Sequence, residues 1–407
     1  MNSNYVLTRN NCAHVSQDPR ITRIIDETDI SILPSLNPDG FDRATPGACS
    51  GTGKQAGMYN EGDKDINQDF PTWEDYQRFI EDEDFNPFEG GRQPETLAMM
   101  EWSVSPFVLS ANLHDGAVLV TYPYDHLQGK DKNSPHLTPD NDIFHHLAET
   151  YTAHHPTMVN RTKCFRRATG GYANGALWHS KNTGGALTGS LKDFSYLFTS
   201  NLELSLELTC CKYPSSFFLL REWEYNKKSL LAYMEQVHMG IKGIVSLEGN
   251  RPQGGADIII WNPDGKRRAK SVSTSDNGEF WKILLPGPNG NNTYKIQARY
   301  EDCSRGGSGR VYESLQHKVI VSYKNPLKIQ QLRMRSVGFC GVQELDSVQV
   351  IEELASRSRI PKKSEVDRDH IVEIKDIKTE NDGDYVDDFD DVYEDNLHVF
   401  YEVSLDF

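Results

Sequence analysis

The feature that most constrains this chain is a change of texture near residue 238. Upstream, from Ile21 to about Tyr233, apolar strand-like runs alternate with helix-like stretches, which is the pattern of an α/β domain. Residues 30–33, 107–114 and 118–122 read as strands, and residues 94–102 and 143–153 as helices. The first of these helices opens on Pro94, where a missing N–H costs nothing. A further helix over 229–238 closes this part. Downstream, short alternating runs at 243–247, 257–261, 280–285 and 294–298 are separated by Gly, Pro, Asn and Asp. That spacing predicts a small all-β sandwich over 239–335. The expected division is an α/β domain over 1–238, the sandwich over 239–335, and a tail over 336–407. Apolar periodicity fades in the tail, and the acidic residues crowded into 380–395 repel one another, so it is expected to be disordered.

An apolar fraction of 37% supports a real core, while a formal net charge of -16 repels phosphate backbones and anionic lipid. Nucleic acid is therefore set aside as a partner. No run of about 18 apolar residues is present, so no transmembrane segment is expected. The opening stretch MNSNYVLTRNNCAHVSQD has no apolar core, so no signal peptide is visible. Cysteines 12, 49, 164, 210, 211, 303 and 340 form no CxxC pair and no Cys/His array of zinc spacing. Their scatter permits disulfides, with at least one cysteine left over. Asn160 and Asn291 each open a glycosylation sequon.

Six motifs then follow one another in order. Residues 34–41, PSLNPDGF, resemble the PSxNPDG signature of metallocarboxypeptidases of the N/E (regulatory) subfamily. Residues 65–71, DINQDFP, resemble DLNRNFP, and 93–96 read QPET. Then come ANLH at 111–114 with YPYD at 122–125, NGA at 174–176, and LELTCCKYP at 206–214. The likeness continues at 240–243 and 280–287, which resemble the transthyretin-like module that follows the peptidase domain in this subfamily. It implies a zinc-carboxypeptidase-like mixed sheet flanked by helices and truncated at its N-terminus, followed by a transthyretin-like β-sandwich. It also implies a secretory-pathway or extracellular location, zinc as cofactor, and peptide or protein C-termini as partners.

Carried over position by position, the resemblance implies an impaired site. Zinc in this family is held by a His-x-x-Glu pair and one later His, and three protein ligands with an open position for water are what such a site requires. The later ligand maps onto His114. The His-x-x-Glu pair is expected well upstream of residue 34, where the chain has only His14-Val15-Ser16-Gln17. Glu207 maps onto the carboxylate that acts as general base. The oxyanion-neutralising Arg becomes Met58, whose side chain carries neither charge nor donor; losing one such donor removes about 3–4 kcal/mol of transition-state stabilisation. Of the Asn-Arg pair that clamps the peptide's terminal carboxylate, Asn67 is kept and the Arg becomes Gln68. The covering Tyr becomes His179. Basic specificity rests on Asp125, which is present, and on a Gln replaced here by Lys192, which would repel a basic terminus or neutralise Asp125. Together these changes resemble the non-catalytic third domain of carboxypeptidase D. They point to a pseudo-carboxypeptidase that binds peptide or protein C-termini, against the alternative of an active zinc carboxypeptidase of altered specificity.

Overall fold

The structure, a computed structural model, describes residues 18–406 except 50–55, 83, 106, 128–131, 160–163, 165–170, 183–184, 186, 248, 304–308 and 341–396. It opens with helix α1 (Pro19–Glu27), capped by the Asp18 carboxylate, which accepts from the Arg20 N–H. Strand β1 (Thr28–Leu33) leads into the short helix α2 (Pro38–Arg43). Asn37 caps α2, and its amide also donates to the Gly57 carbonyl at 3.1 Å, tying the two turns together. Helix α3 (Trp73–Glu81) starts on a Thr72/Asp75 capping box, and α4 (Pro94–Ser103) starts on its proline.

Strands β2 (Leu109–His114) and β3 (Leu119–Tyr122) are buried along their whole length, as a strand covered on both faces must be. Helix α5 (Asn141–Ala153) buries Ile143, Phe144, Leu147, Ala148 and Tyr151, the spacing of one helical face. Then follow β4 (Tyr172–Asn174), α6 (Gly175–Asn182), α7 (Leu191–Phe198), β5 (Leu202–Glu207) and α8 (Leu219–Met234). Strand β2 pairs parallel with β5, β5 antiparallel with β3, and β3 parallel with β4, so the sheet is mixed. One interior carboxylate is satisfied locally. The buried Glu203 carboxylate accepts from the Ser110 and Ser195 hydroxyls, each at 2.8 Å, and from the Asn112 amide.

Beyond a single turn at Glu235–His238, eight strands gather round a separate apolar core that includes Val245, Ile258, Ile260, Phe280, Ile296 and Leu332. They are β6 (Gly240–Ser246), β7 (Asp257–Trp261), β8 (Val272–Ser273), β9 (Glu279–Lys282), β10 (Asn291–Cys303), β11 (Gly309–Ser314), β12 (His317–Ser322) and β13 (Leu327–Phe339). The path runs β8-β7-β10-β11-β13-β6-β9, with β12 added against β10. Ile283 belongs to the core of the α/β domain, so the two bodies share apolar contact.

Of the region expected to form a tail, residues 336–340 and 397–406 are described in the structure. Strand β13 runs to Phe339, and Cys340 closes a disulfide with Cys303. The final strand, β14 (Leu397–Asp406), returns to the first sheet and lies parallel between β1 and β2, giving the order β1-β14-β2-β5-β3-β4. Backbone pairing on both sides is the reason: without β14, β1 and β2 would each present an unpaired row of N–H and C=O groups. The acidic stretch 380–395, Cys12, His14 and Asn160 lie outside the described residues.

Candidate active-site cleft

The parallel register of β2 and β5 sets His114 directly opposite Glu207 at the ends of the two strands. Two residues 93 positions apart are thereby neighbours. His114 is buried, and burial together with the Lys212 and Lys192 ammonium charges lowers its pKa to about 3, so it is neutral. Burial raises the Glu207 carboxyl, against the opposing pull of Lys212.

Asp125 follows β3 in a tightly held turn whose Pro123–Tyr124 peptide is cis. The Asn174 amide donates to the Pro123 and His136 carbonyls at 3.1 and 2.7 Å, and the Ala176 N–H to the Tyr124 carbonyl at 2.8 Å. Gly175 is required here, because a Cβ would collide with the Asp125 carboxylate. The backbone N–H of Asp125 donates to Asp193 Oδ1 at 2.9 Å, and that of His126 to Asp193 Oδ2 at 3.1 Å. Asp193 is itself placed by the first turn of α7, whose cap is Ser190. Burial, reinforced by the Asp125 charge, pushes the Asp193 carboxyl up to about 8.

Lys192, in the same turn, is fully buried. Its Nζ donates to Thr121 Oγ1 at 2.8 Å and lies 2.9 Å from Asp125 Oδ1. His179 Nε2 on α6 stands 3.5 Å from the same oxygen. Burial alone would raise the Asp125 carboxyl, but Lys192 and His179 overcome it and hold the group well below the usual carboxylate range.

Asn67 lies in the turn Ile66–Gln68, which Asp65 caps. Its Oδ1 accepts from the Leu191 N–H at 3.1 Å, which ties this turn to the residue preceding Lys192. Gln68 is exposed and commits its amide to Asp65. Met58, half-buried, adjoins Tyr59, which bridges to Asp65. The structure thus joins Asp125, Lys192 and His179 in one cluster, pairs His114 with Glu207, and sets Asn67 and Gln68 on a neighbouring turn.

Two residues of the site were not singled out from the sequence. Asp193 sits beside Lys192 in a helix's first turn, where an acidic residue is ordinary. Lys212 lies in the CCKYP string, and its charge acts on His114, Asp115, Glu207 and Asp65. Disulfides Cys49–Cys211 and Cys164–Cys210 pin the loop that carries it.

Among the described residues, no three His, Cys, Asp or Glu side chains converge to hold a metal ion. The described donor set does not fit catalytic zinc, which takes three protein ligands.

The chain belongs to the zinc carboxypeptidase family, whose sequence model matches residues 3–229. Within that family it is an N/E-type, carboxypeptidase D-like member. It is 39% identical over 267 residues to carboxypeptidase D of Drosophila melanogaster, a match covering 65% of this chain and 18% of that protein. It is 38% identical to carboxypeptidase M of Mus musculus, covering 67% and 57%, and 36% identical to carboxypeptidase Z of Homo sapiens, covering 66% and 42%. The chain therefore spans less than two thirds of the length of each of these relatives. Among the described residues no helix is long and apolar enough to cross a membrane.

Proposed function

We propose that this chain is a catalytically impaired carboxypeptidase that binds peptide or protein C-termini in the inherited cleft. The observation that carries the reading is the donor set: His114 has no two further ligands beside it among the described residues. A site with fewer than three protein ligands retains a divalent ion weakly. Met58 and Gln68, where the resemblance expects guanidinium groups, support the same conclusion. Binding is supported by what remains. The Asn67 amide oxygen is occupied by Leu191, which leaves its NH2 as a donor, and Lys212 supplies a positive charge for a terminal carboxylate.

The β-rich body is read as the transthyretin-like module, which packs on the α/β core through Ile283. Three disulfides and the exposed Asn291 sequon support an oxidising, secretory or extracellular setting. The rival reading, an active zinc carboxypeptidase of altered preference, is favoured by one observation: Glu207 is retained opposite His114.

One experiment separates the two. The purified 407-residue chain is dialysed against zinc, its metal content is measured, and it is then incubated with peptides that carry a free or an amidated C-terminus. The expected outcome is substoichiometric zinc, no released residue, and binding of the free acid over the amide. Stoichiometric zinc with chelator-sensitive release of the terminal residue overturns the proposal.

A further inference from the structure

We infer that the cavity between the α/β domain and the β-rich body binds a small aromatic carboxylate, its ring held among aromatic side chains and its anionic group by Lys270. The site goes beyond the peptide-binding reading and shares no lining residue with the cleft of His114, Asp125 and Glu207. The first supporting observation is the space and its walls. The cavity measures about 360 Å³, which suits a small organic ligand. Trp73, Tyr76, Tyr124, His136 and Tyr196 line it from the α/β domain, and the segment around Lys270 lines it from the β-rich body. The rings form one continuous surface. Trp73 meets Tyr124 and His136 edge-on, with centroids 5.1 and 4.8 Å apart, and Tyr124 meets Tyr196 at 5.7 Å. Such a surface accepts a further aromatic ring by stacked or edge-to-face contact.

The second observation is charge. No acidic residue is among the described residues lining the cavity, and burial lowers the His136 pKa, which favours its neutral form. The nearby carboxylates are already committed: Asp140 accepts from Arg268 and Lys282, and Asp142 accepts from Arg268. Three cations, Arg268, Lys282 and Lys270, thus stand against two carboxylates, and the surplus one borders the cavity. Lys270 Nζ donates to the Thr199 carbonyl at 2.9 Å and lies 4.2 Å from the centroid of the Tyr196 ring, neither of which carries a full negative charge. Burial, reinforced by the Lys282 charge, lowers the Lys270 amine to about 7, so its charged form lacks a counter-ion that a ligand carboxylate supplies.

The test is isothermal titration calorimetry of the full chain in slightly acidic buffer with four probes: 2-naphthoate, the uncharged 2-naphthamide, the cationic 2-naphthylmethylamine and the saturated decahydro-2-naphthoate. 2-Naphthoate is expected to bind about tenfold or more tightly than the amide and the amine, and more tightly than the saturated acid. Lys270→Met, which removes the charge and keeps the volume, should lower 2-naphthoate to the affinity of the amide and leave the amide unchanged. Tyr76→Ala, a second variant in case the first misfolds, should weaken acid and amide alike. Amide or amine binding as well as the acid overturns the role of charge, and the saturated acid binding equally well overturns the role of the rings. Binding of none of the four probes, or unchanged 2-naphthoate affinity in Lys270→Met, overturns the inference. Loss of 2-naphthoate on Lys212→Met but not on Lys270→Met places the ligand in the peptide cleft and overturns it as well.

Discussion

Two buried aspartates in this molecule face basic side chains, and they solve the same problem differently. Asp140, at the start of α5, is completely buried and accepts from Arg268 Nη1 at 2.7 Å, Lys282 Nζ at 2.6 Å and the Tyr196 hydroxyl at 3.1 Å. Both cations come from the β-rich body, so this carboxylate joins the two halves of the chain. Burial alone would raise its pKa, but Lys282 and Arg268 more than offset that and keep it low. Asp125 has one lysine from its own domain and an oxygen without an aligned donor. A carboxylate filled by donors from both bodies is a joint; Asp125 is held within its own domain by Lys192 and His179.

The largest effect tests the joint. Asp140→Asn removes the anion that contacts both Arg268 and Lys282; Arg268 keeps its pair with Asp142, but the buried Lys282 ammonium loses its carboxylate. Breaking a buried pair from one side costs about 3–5 kcal/mol. Urea denaturation should show that loss, with the β-rich body released at lower denaturant than the α/β domain. A loss under about 1 kcal/mol would mean that apolar contact through Ile283, rather than charge, holds the halves together.

This contrast bears on what the sequence could reveal. The strands around His114 and Glu207 were legible because apolar strand-like runs and the family motifs coincide on the same residues. The Asp125 neighbourhood was legible only in part. Lys192 could be named as a neutraliser, but nothing local reveals that Asp193, one residue on, holds the Asp125 backbone from 68 positions away. Arg268 and Lys282 lie 128 and 142 positions from Asp140, in loops and strands where a basic residue is unremarkable. Strand β14 was hidden for another reason. Residues 397–406 follow an acidic run that dominates the composition of the tail, and the pairing that orders the strand exists only once β1 and β2 are formed. Disulfide pairing stayed open because spacing does not choose among partners.

A third buried carboxylate calibrates the comparison, since among the described residues it has hydrogen bonds but no ion pair, and Lys192 acts on it only through its field. Burial pushes the Glu203 carboxyl up to about 7, against the opposing effect of Ser195, Ser110 and Asn112. Its folded pKa lies above the unfolded value of 4.5. The unfolded chain therefore releases its proton first as pH rises. The stability this group contributes is complete below about pH 4.5 and is lost between there and pH 7, on the order of 3 kcal/mol in all. Glu203→Gln should remove that slope, so that variant and parent melt alike near pH 5 and the variant melts higher near pH 8. Parallel pH profiles would show that Glu203 is ionised in the folded state throughout.

The smallest expected effect is the most discriminating, because it asks whether Asp125 matters to stability at all beyond its lysine. Asp125→Asn alone leaves one buried ammonium with Thr121 as its remaining described partner, a loss of about 1–3 kcal/mol and less than at Asp140, whose carboxylate accepts from Lys282, Arg268 and Tyr196 together. Adding Lys192→Met removes the stranded charge and supplies apolar volume, so the double variant should return to within about 1 kcal/mol of the parent. If the double variant stays as unstable as Asp125→Asn, the carboxylate's contacts with His179 and Gly175 hold the turn, and the cleft floor is a structural joint like Asp140.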